Sequence, residues 1–341
     1  MLRLPSFTYL GARTVEEAVR HIAEAGPEGM VVAGGTDLYP NMKRRQFEPT
    51  VLVGLRGIRE LGRISGDRVK GMTVGAGVTL ANLAAHPEIV GAYRALALAA
   101  GSVSTPPLRN MGTLGGNLCL DTRCNYYNQT YHWRRSIGFC TKKGGDICLV
   151  APGSPRCWAI SSTDTAPVAI ALDARLRLVG PHGARDVAAA ALYRDDGIDY
   201  LTKAPDEILT DVLLPAVDGW KTTYWKLRRR GSFDFPILGV AAALRFAPDG
   251  TIEDARIILG AVASRPLVAA DAAALLRGQR PTSELIARAA QAAFQPAKPL
   301  DNADLTIGYR KKMARVYVER ALRELAGLPF DGTPGGGASI F

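Results

Sequence analysis

All five cysteines of this 341-residue chain fall in one short segment, between Cys119 and Cys157. Thiolates ligate zinc ions and iron–sulfur clusters. A disulfide framework does not suit an odd number of cysteines in a chain that we expect to be cytoplasmic, where thiols stay reduced. Zinc sites favour closely paired cysteines, and here only Cys119 and Cys124 come close to that spacing. We therefore expect a [4Fe–4S] cluster, with structural zinc and buried unligated cysteines as the alternatives.

Basic and aromatic side chains are concentrated around these cysteines. A cluster with four thiolate ligands has a net negative charge, and apolar surroundings that exclude water help to set its reduction potential. The basic residues are Arg123, Arg134, Arg135, Lys142, Lys143 and Arg156, beside the acidic Asp121 and Asp146. The aromatic residues are Tyr126, Tyr127, Tyr131, Trp133 and Trp158. The composition of the segment thus also favours a cluster.

Two glycine-rich loops form a second candidate site. "VVAGGTDL", residues 31–38, is a strand followed by Gly34, Gly35 and Thr36, and "RNMGTLGGN", residues 109–117, repeats the pattern with three glycines and a threonine. Glycines let backbone N–H groups approach a diphosphate closely. Neither loop has the Rossmann G-x-G-x-x-G pattern or a P-loop lysine. A single loop of this kind is usually an ordinary turn, but two in one domain favour a diphosphate cofactor such as FAD.

The first hundred residues must position the first of these loops, and they mix helix and strand patterns. Residues 14–26 predict a helix, with Thr14 as N-cap and Gly26 as its end. "MVVAGGT", "TVLVGL" and "GMTVGAGVTL" predict strands. "TLANLAAHPEIV" and "YRALALAAGSV" predict helices. This order is typical of an α+β or α/β fold.

Residues 117–158 show no clear period, and we expect something within this run to order it. Beyond it, "APVAIALDARLRLVG", residues 166–180, and "DEILTDVLLP" predict strands. A "PDG" turn between two alternating segments predicts a hairpin. "VAADAAALLRG", "SELIARAAQAAF" and "YRKKMARVYVERALREL" predict helices. The boundary between two domains is expected near residue 217, and residues 329–341 are expected to form a flexible tail.

Charge and hydropathy exclude several functional classes. The net charge is +10 and the pI about 9.5, but we find no nucleic-acid-binding motif, and the basic residues are scattered. No apolar run approaches the roughly 18 residues that span a bilayer, and no secretory leader is recognisable at the N-terminus. We therefore expect a cytoplasmic protein that binds neither nucleic acid nor membrane. Its positive charge would suit an acidic protein partner.

The two loops, together with "SSTDTAPVAIAL" and "YWKLRRRGSFDFPILGVAAAL", resemble the flavin subunits of the xanthine dehydrogenase and carbon monoxide dehydrogenase family of molybdenum hydroxylases. The resemblance covers roughly residues 1–325. It implies an α+β fold with a two-subdomain FAD-binding domain of the PCMH (vanillyl-alcohol-oxidase-like) type over residues 1–217. It also implies an iron–sulfur loop insertion over residues 118–158. Residues 218–328 would form a CO dehydrogenase flavoprotein C-terminal-like domain.

The same resemblance implies which residues contact FAD. Residues 31–38 and 112–117 would hold the diphosphate, Asp164 would lie near the ribityl or ribose hydroxyls, and Leu209 and Lys226 near the flavin ring. Judged from sequence alone, Asp164 is as readily a helix cap and Lys226 a surface lysine. The complete set is Val31, Val32, Ala33, Gly34, Gly35, Thr36, Asp37, Leu38, Val103, Gly112, Thr113, Leu114, Gly115, Gly116, Asn117, Asp164, Leu209 and Lys226.

Most flavin subunits of this family lack the cysteine-bearing insertion. It resembles the cluster-bearing loop in the β subunits of the 4-hydroxybenzoyl-CoA reductases, which have the spacing of Cys124, Cys140, Cys148 and Cys157. That likeness implies these four as the [4Fe–4S] ligands. Cys119 falls outside the pattern and is expected to pack as a small apolar residue.

The resemblance further implies the assembly and the reaction. A large subunit would carry molybdopterin and the substrate, a small subunit two [2Fe–2S] clusters, and the whole would be a dimer of heterotrimers. Electrons from reduced ferredoxin would reach molybdenum through this chain, and 4-hydroxybenzoyl-CoA would become benzoyl-CoA. One alternative is another molybdenum hydroxylase that passes electrons to NAD or a quinone. Two others are a stand-alone FAD reductase like the enolpyruvyl reductase of cell-wall synthesis and a zinc-stapled interaction module.

Overall fold

The computed structural model describes residues 2–217 and 219–329, and across these residues the strands form three sheets. Of the expected flexible tail, residues 330–341 lie outside the described residues. The mixture of three sheets with packed helices confirms the expected α+β class.

The first sheet is parallel, with the strand order β1-β3-β2. Its elements are β1 Thr8–Gly11, α1 Val15–Ala25, β2 Gly29–Val32, α2 Leu38–Lys43 and β3 Val51–Gly54. Helix α1 begins as predicted, because the Thr14 hydroxyl accepts a hydrogen bond from the Glu17 N–H at 3.1 Å. It ends at Gly26, whose φ is +55°. Its buried residues recur at helical spacing and pack on the sheet, and they are Val15, Ala18, Val19 and Ile22.

The second sheet is antiparallel, with the strand order β4-β5-β8-β6-β7. Its strands are β4 Ile64–Asp67, β5 Gly71–Gly75, β6 Arg175–Gly180, β7 Gly183–Ala188 and β8 Ile208–Leu214. The helices in this part of the chain are α3 Leu80–Ala85, α4 Pro87–Ala92, α5 Arg94–Ser102, α6 Pro106–Arg109, α7 Leu114–Leu118, α8 Tyr131–Ser136 and α9 Thr165–Ala171. The largest buried core joins this sheet to α3, α5, α7 and α9.

The third sheet is antiparallel, with the strand order β12-β11-β10-β9. Its elements are β9 Trp220–Leu227, β10 Leu238–Phe246, β11 Ile252–Gly260, β12 Leu267–Val268, α10 Ala270–Leu276, α11 Ser283–Phe294 and α12 Ile307–Ala326. The predicted hairpin is confirmed, since β10 pairs with β11 across a turn in which the Gly250 N–H donates to the Ala247 carbonyl at 2.9 Å. The three predicted C-terminal helices are also present.

One sequence prediction was wrong in its first half. "APVAIAL" belongs to helix α9, and the strand begins only at Arg175. Almost every residue of α9 is buried, including Thr165 and Pro167, so the helix has no polar face. A fully buried helix and a buried strand give the same continuous apolar run, which periodicity alone does not distinguish.

The irregular run is ordered by long-range contacts as well as by its own residues. Within it lies the short helix α8, capped by Thr130, whose hydroxyl accepts from the Trp133 N–H. An isolated antiparallel bridge between Arg123 and Ile160 closes its two ends. Among the described residues, no helix is both long and apolar enough to cross a membrane.

Candidate cofactor site

The two glycine loops lie directly against each other. A side chain on Gly34 would overlap the carbonyl oxygen of Met111 in the second loop. A Cβ atom on Gly112 would lie 3.4 Å from the Thr36 hydroxyl oxygen in the first. Gly35 adopts a φ of +70°, which side-chain-bearing residues rarely tolerate. The loops therefore form one continuous backbone surface that depends on glycine.

Each loop connects a secondary-structure element to a helix. Val31 and Val32 end β2, residues 33–37 form the turn, and Leu38 begins α2. The second loop runs from α6 into α7, where the Thr113 hydroxyl accepts from the Gly116 N–H at 3.1 Å. Thr113 is thus an N-cap, and the hydrogen bond fixes the course of the second loop.

Asn117 fixes the end of the second loop to the segment that precedes α9. Its side-chain oxygen accepts hydrogen bonds from the Thr163 hydroxyl at 2.9 Å and the Thr165 hydroxyl at 2.7 Å. It also accepts from the Thr165 N–H at 3.1 Å. Because Asn117 is buried, these bonds hold Asp164 at a fixed place beside the loop.

Asp164 and Lys226 form a buried ion pair. Lys226 Nζ lies 3.0 Å from Asp164 Oδ2, and the Tyr224 hydroxyl donates to Asp164 Oδ1 at 2.8 Å. Burial lowers the pKa of Lys226 and the Asp164 charge opposes this, while burial and Asp164 together raise the pKa of Tyr224. Asp164 precedes α9 without capping it, and Lys226 is not on the surface. Both simpler sequence interpretations were therefore wrong.

Val103 and Leu209 are placed differently. Val103 follows α5, where its carbonyl accepts from Arg109 at 2.8 Å, and the adjacent Ser102 carbonyl accepts from Lys226 at 3.1 Å. Leu209 lies in β8, 5% exposed, in the same apolar core as Leu114. The structure thus brings the loops, Asp164 and Lys226 together through direct contacts, whereas Leu209 joins them through the core.

Four cysteines share one cavity, and they are Cys124, Cys140, Cys148 and Cys157. Each is no more than 8% exposed. Apolar and aromatic residues complete the lining, among them Tyr126, Tyr127, Leu149, Val150 and Ala159. Cys119 lies elsewhere, packed against the main core. Within the part of the chain that the structure describes, no carboxylate lines this cavity.

All four cysteines that line the cavity are free thiols in the structure. Among the described residues, no three His, Cys, Asp or Glu side chains are arranged to hold one metal ion. Burial raises the pKa of Cys124 to about 12 and that of Cys157 to about 11, so these two thiols stay protonated at neutral pH when they are unligated.

Lys142, one of the basic residues noted in the sequence, lines this cavity. Gly197 packs behind one of the thiols, a contact that the sequence did not indicate. Lys142 Nζ is held by Asp121 Oδ1 at 2.7 Å and the Gly197 carbonyl at 2.6 Å. A Cβ atom on Gly197 would lie 2.6 Å from Cys157 Sγ, so the 195–197 turn packs closely behind the thiol. The "DDG" sequence of that turn was the available signal, but nothing local links it to the cysteines.

The other basic residues of the insertion do not face the cavity. Arg134 is buried and donates to the carbonyls of Arg44 and Arg45 at 2.9 and 3.0 Å. Arg156 pairs with Asp195 at 3.0 Å and stacks over Trp158. Among the described basic residues of the insertion, Lys142 is the one that lines the cavity, while the Arg134 guanidinium still interacts electrostatically with Cys140.

The expected aromatic shield was also only partly correct. Tyr126 and Tyr127 line the cavity, but Tyr131 and Trp133 are exposed, at 40% and 39%. Both lie on helix α8, which projects its ring-bearing residues outward. These two side chains do not exclude water from the cysteines.

Neighbouring parts of the chain hold the insertion in place. Arg123 forms an ion pair with Asp37, which directly follows Thr36 of the first glycine loop. Gln46 donates to the Tyr127 carbonyl at 2.5 Å, and Asn302 donates to the Trp158 carbonyl at 2.5 Å. The cysteine cavity is thereby fixed between the first sheet and the C-terminal region.

Two family matches together cover most of the chain. Residues 5–217 match the FAD binding domain in molybdopterin dehydrogenase, and residues 222–325 match the CO dehydrogenase flavoprotein C-terminal domain. The two matches agree with the expected fold.

Individual relatives show the same similarity. The aldehyde oxidoreductase FAD-binding subunit PaoB of Escherichia coli K12 is 32% identical over 286 residues, 79% of this chain and 86% of that protein. The carbon monoxide dehydrogenase medium chain of Hydrogenophaga pseudoflava is 29% identical over 323 residues, 93% of this chain and 96% of that protein. A solved structure of carbon monoxide dehydrogenase from that organism, lacking the Mo-pyranopterin moiety, superposes with a TM-score of 0.79 at 28% identity, covering 95% of this chain and 99% of the other.

Proposed function

Because the chain belongs to the FAD-binding medium subunits of the carbon monoxide dehydrogenase and xanthine dehydrogenase family of molybdenum hydroxylases, we propose that it carries FAD and a [4Fe–4S] cluster as an electron-transfer subunit. The single observation that supports the second cofactor is the cavity shared by four buried cysteines. We also propose that residues 1–217 form the FAD-binding domain and residues 218–328 the C-terminal domain.

The glycine loops suit FAD. Glycine at position 34 leaves backbone, and no side chain, at the contact with Met111, so a diphosphate can approach both loops. In this proposal residues 31–38, Val103 and residues 112–117 bind FAD, with Leu209 beside the flavin ring. Asp164 offers carboxylate oxygens to sugar hydroxyls, and Lys226 orients that carboxylate through the 3.0 Å ion pair.

The cysteine cavity suits an iron–sulfur cluster. Cys124, Cys140, Cys148 and Cys157 supply four thiolates, the donor set of a [4Fe–4S] cube. Lys142 lines the cavity wall, where its ammonium group is paired with the buried Asp121 carboxylate. Tyr127 and Leu149 limit the access of water. FAD exchanges one or two electrons and a [4Fe–4S] cluster one, so the pair suits single-electron transfer.

For the reaction, we propose a molybdenum-containing 4-hydroxybenzoyl-CoA reductase, in which this chain is the β subunit and the product is benzoyl-CoA. The spacing of the four cysteines supports this choice. A large molybdopterin subunit and a small [2Fe–2S] subunit would complete a dimer of heterotrimers in the cytoplasm. The substrate would not touch this chain.

A second candidate is aldehyde oxidation, in which electrons would flow in the opposite direction, away from the molybdenum subunit. It is favoured by the 32% identity to an aldehyde oxidoreductase FAD-binding subunit. The chain would then pass electrons from the molybdenum subunit to an acceptor such as ferredoxin, NAD or a quinone. The cofactors proposed for this chain are the same in both reactions.

Metal analysis and two assays on the intact complex test the proposal. The complex is purified without oxygen, and iron, sulfide, zinc and FAD are measured. About four iron and four sulfide per FAD beyond the partner's two-iron clusters are expected. Turnover of 4-hydroxybenzoyl-CoA with a low-potential donor supports the reductase, and aldehyde-dependent reduction of an acceptor supports the second candidate. FAD without the additional iron would refute the cluster.

Ferredoxin is the proposed electron donor. Ferredoxins are typically acidic, and among the basic residues of the insertion Arg135 and Lys143 are exposed. Electrostatic docking of this kind weakens as salt screens the charges. Binding of reduced ferredoxin to the complex is therefore expected to weaken steeply with ionic strength. Salt-insensitive binding would argue against docking at the insertion.

A further inference from the structure

Arg123 extends from the cysteine insertion to the first glycine loop. One of its terminal nitrogens forms the ion pair with Asp37, and the other donates to the Asn41 side-chain oxygen at 3.3 Å. Asn41 in turn donates to the other Asp37 oxygen at 3.0 Å. Arg123 immediately precedes Cys124, and Asp37 immediately follows Thr36. A single ion pair therefore links the two proposed cofactor sites.

The residues around Arg123 fix the position of this ion pair. Arg123 is 8% exposed, and its guanidinium lies 4.6 Å from the centre of the Phe235 ring. Its backbone is fixed by two hydrogen bonds of 2.8 Å to Ile160, across the neck of the insertion. The Asp37 side chain is 30% exposed and remains open to the loop. Arg123 is thus held rigidly from the insertion side, while Asp37 depends on it for charge compensation.

The charge of Asp37 matters because of what the loop is proposed to bind. A diphosphate is anionic, and a carboxylate next to it repels it unless a cation compensates the charge. Arg123 supplies that cation only when the insertion is folded in the observed position. The insertion in turn contains few regular elements, so its order depends on anchors of this kind.

We propose that the Arg123–Asp37 ion pair couples FAD binding to the folding of the cysteine insertion, with Arg123 acting as a positioning residue for both cofactors. This inference rests on the proposed function. In the direction of FAD, Arg123 neutralises Asp37 and fixes the first loop. In the direction of the cluster, Asp37 fixes the segment that presents Cys124. Such coupling is reciprocal, so each cofactor favours the binding of the other.

A double-mutant cycle on the intact complex tests the coupling. FAD is removed, and its re-binding is followed by flavin fluorescence in the wild type, Arg123→Met, Asp37→Asn and the double variant. We expect Arg123→Met to weaken FAD binding on the order of tenfold or more. The double variant is expected to bind as Asp37→Asn alone does, because no uncompensated carboxylate remains. Arg288→Met, which changes an exposed arginine on α11, is the matched control and is expected to bind FAD as the wild type does.

The second measurement is the rate of iron loss to a chelator, with and without FAD. FAD is expected to slow iron loss in the wild type but not in Arg123→Met. If the effects of Arg123→Met and Asp37→Asn on FAD binding are simply additive, the coupling is wrong. If the complex that carries Arg123→Met does not assemble, FAD binding is compared between Arg123→Lys, which keeps a cation at this position, and the double variant. If the complex contains no additional iron, the proposed cluster fails, while the FAD cycle still decides whether Arg123 compensates Asp37.

Discussion

The ammonium nitrogen of Lys226 lies 3.0 Å from Oδ2 of Asp164, and the two side chains are 4% and 3% exposed. Lys226 belongs to β9 of the third sheet, whereas Asp164 precedes a helix of the main core. The pair therefore joins the two proposed domains at the edge of the candidate flavin site. Its burial makes it sensitive to the loss of either partner.

Replacing one member of this pair is expected to destabilise the chain strongly. Asp164→Ala leaves a buried ammonium without its counter-ion, which costs about 3–5 kcal/mol in comparable cases. The double variant Asp164→Leu/Lys226→Met is expected to recover most of that loss, because no charge remains buried. Urea denaturation of the purified chain gives the free energies of unfolding. Asp186→Ala, which breaks a partly exposed ion pair with Arg177, is the control and is expected to cost less than about 1 kcal/mol.

A single methyl group is expected to separate the glycine loops. Gly34→Ala places a Cβ atom on the Met111 carbonyl oxygen, so the loops must move apart. FAD content of the purified complex is expected to fall severalfold, with little change in global stability. Gly91→Ala is the matched control, because Gly91 is exposed on α4 and its added Cβ meets nothing within 4 Å. Equal FAD content in both variants would contradict the proposed approach of a diphosphate to this surface.

Cysteine replacements are expected to divide into two groups. Cys148→Ser removes a buried thiol from the shared cavity, and about four iron per FAD are expected to be lost from the complex. Cys119→Ser changes a thiol that packs on the main core instead, and iron is expected to stay at the wild-type level. Iron and sulfide analysis after anaerobic purification gives the result. Iron loss with Cys119→Ser and retention with Cys148→Ser would reverse the proposed assignment.

Acid stability depends in part on Glu207. Its hydrogen bonds to Arg185 are the largest cause that lowers its pKa below the usual value of 4.5. A lowered pKa contributes stability that is present above pH 4.5 and is lost as the pH falls through the folded-state pKa. Glu207→Gln is therefore expected to cost stability at pH 7 and much less below the folded-state pKa. The urea midpoints of the two proteins, measured from pH 7 to pH 3, should converge, and a constant gap would contradict this account.

Local patterns in the chain were sufficient for most elements of the fold. Helix α1 follows from Thr14, Gly26 and the apolar spacing between them, and the β10–β11 hairpin follows from its turn and alternation. Helix α9 does not, because a helix buried on all sides has no period that separates it from a strand. Helix α1, with one polar face, was predictable, and the fully buried helix α9 was not.

The candidate site divides in the same way. The glycine loops and the cysteines are visible in the sequence, because backbone approach requires glycine and metal chemistry requires thiols, wherever the chain places them. The tertiary structure alone decided that Lys142 rather than Arg134 faces the thiols, that Tyr131 and Trp133 face solvent, and that Arg123 reaches Asp37. Arg123 and Asp37, for example, lie 86 residues apart in the chain. Their geometry is set by packing of the whole molecule, which no local spacing encodes.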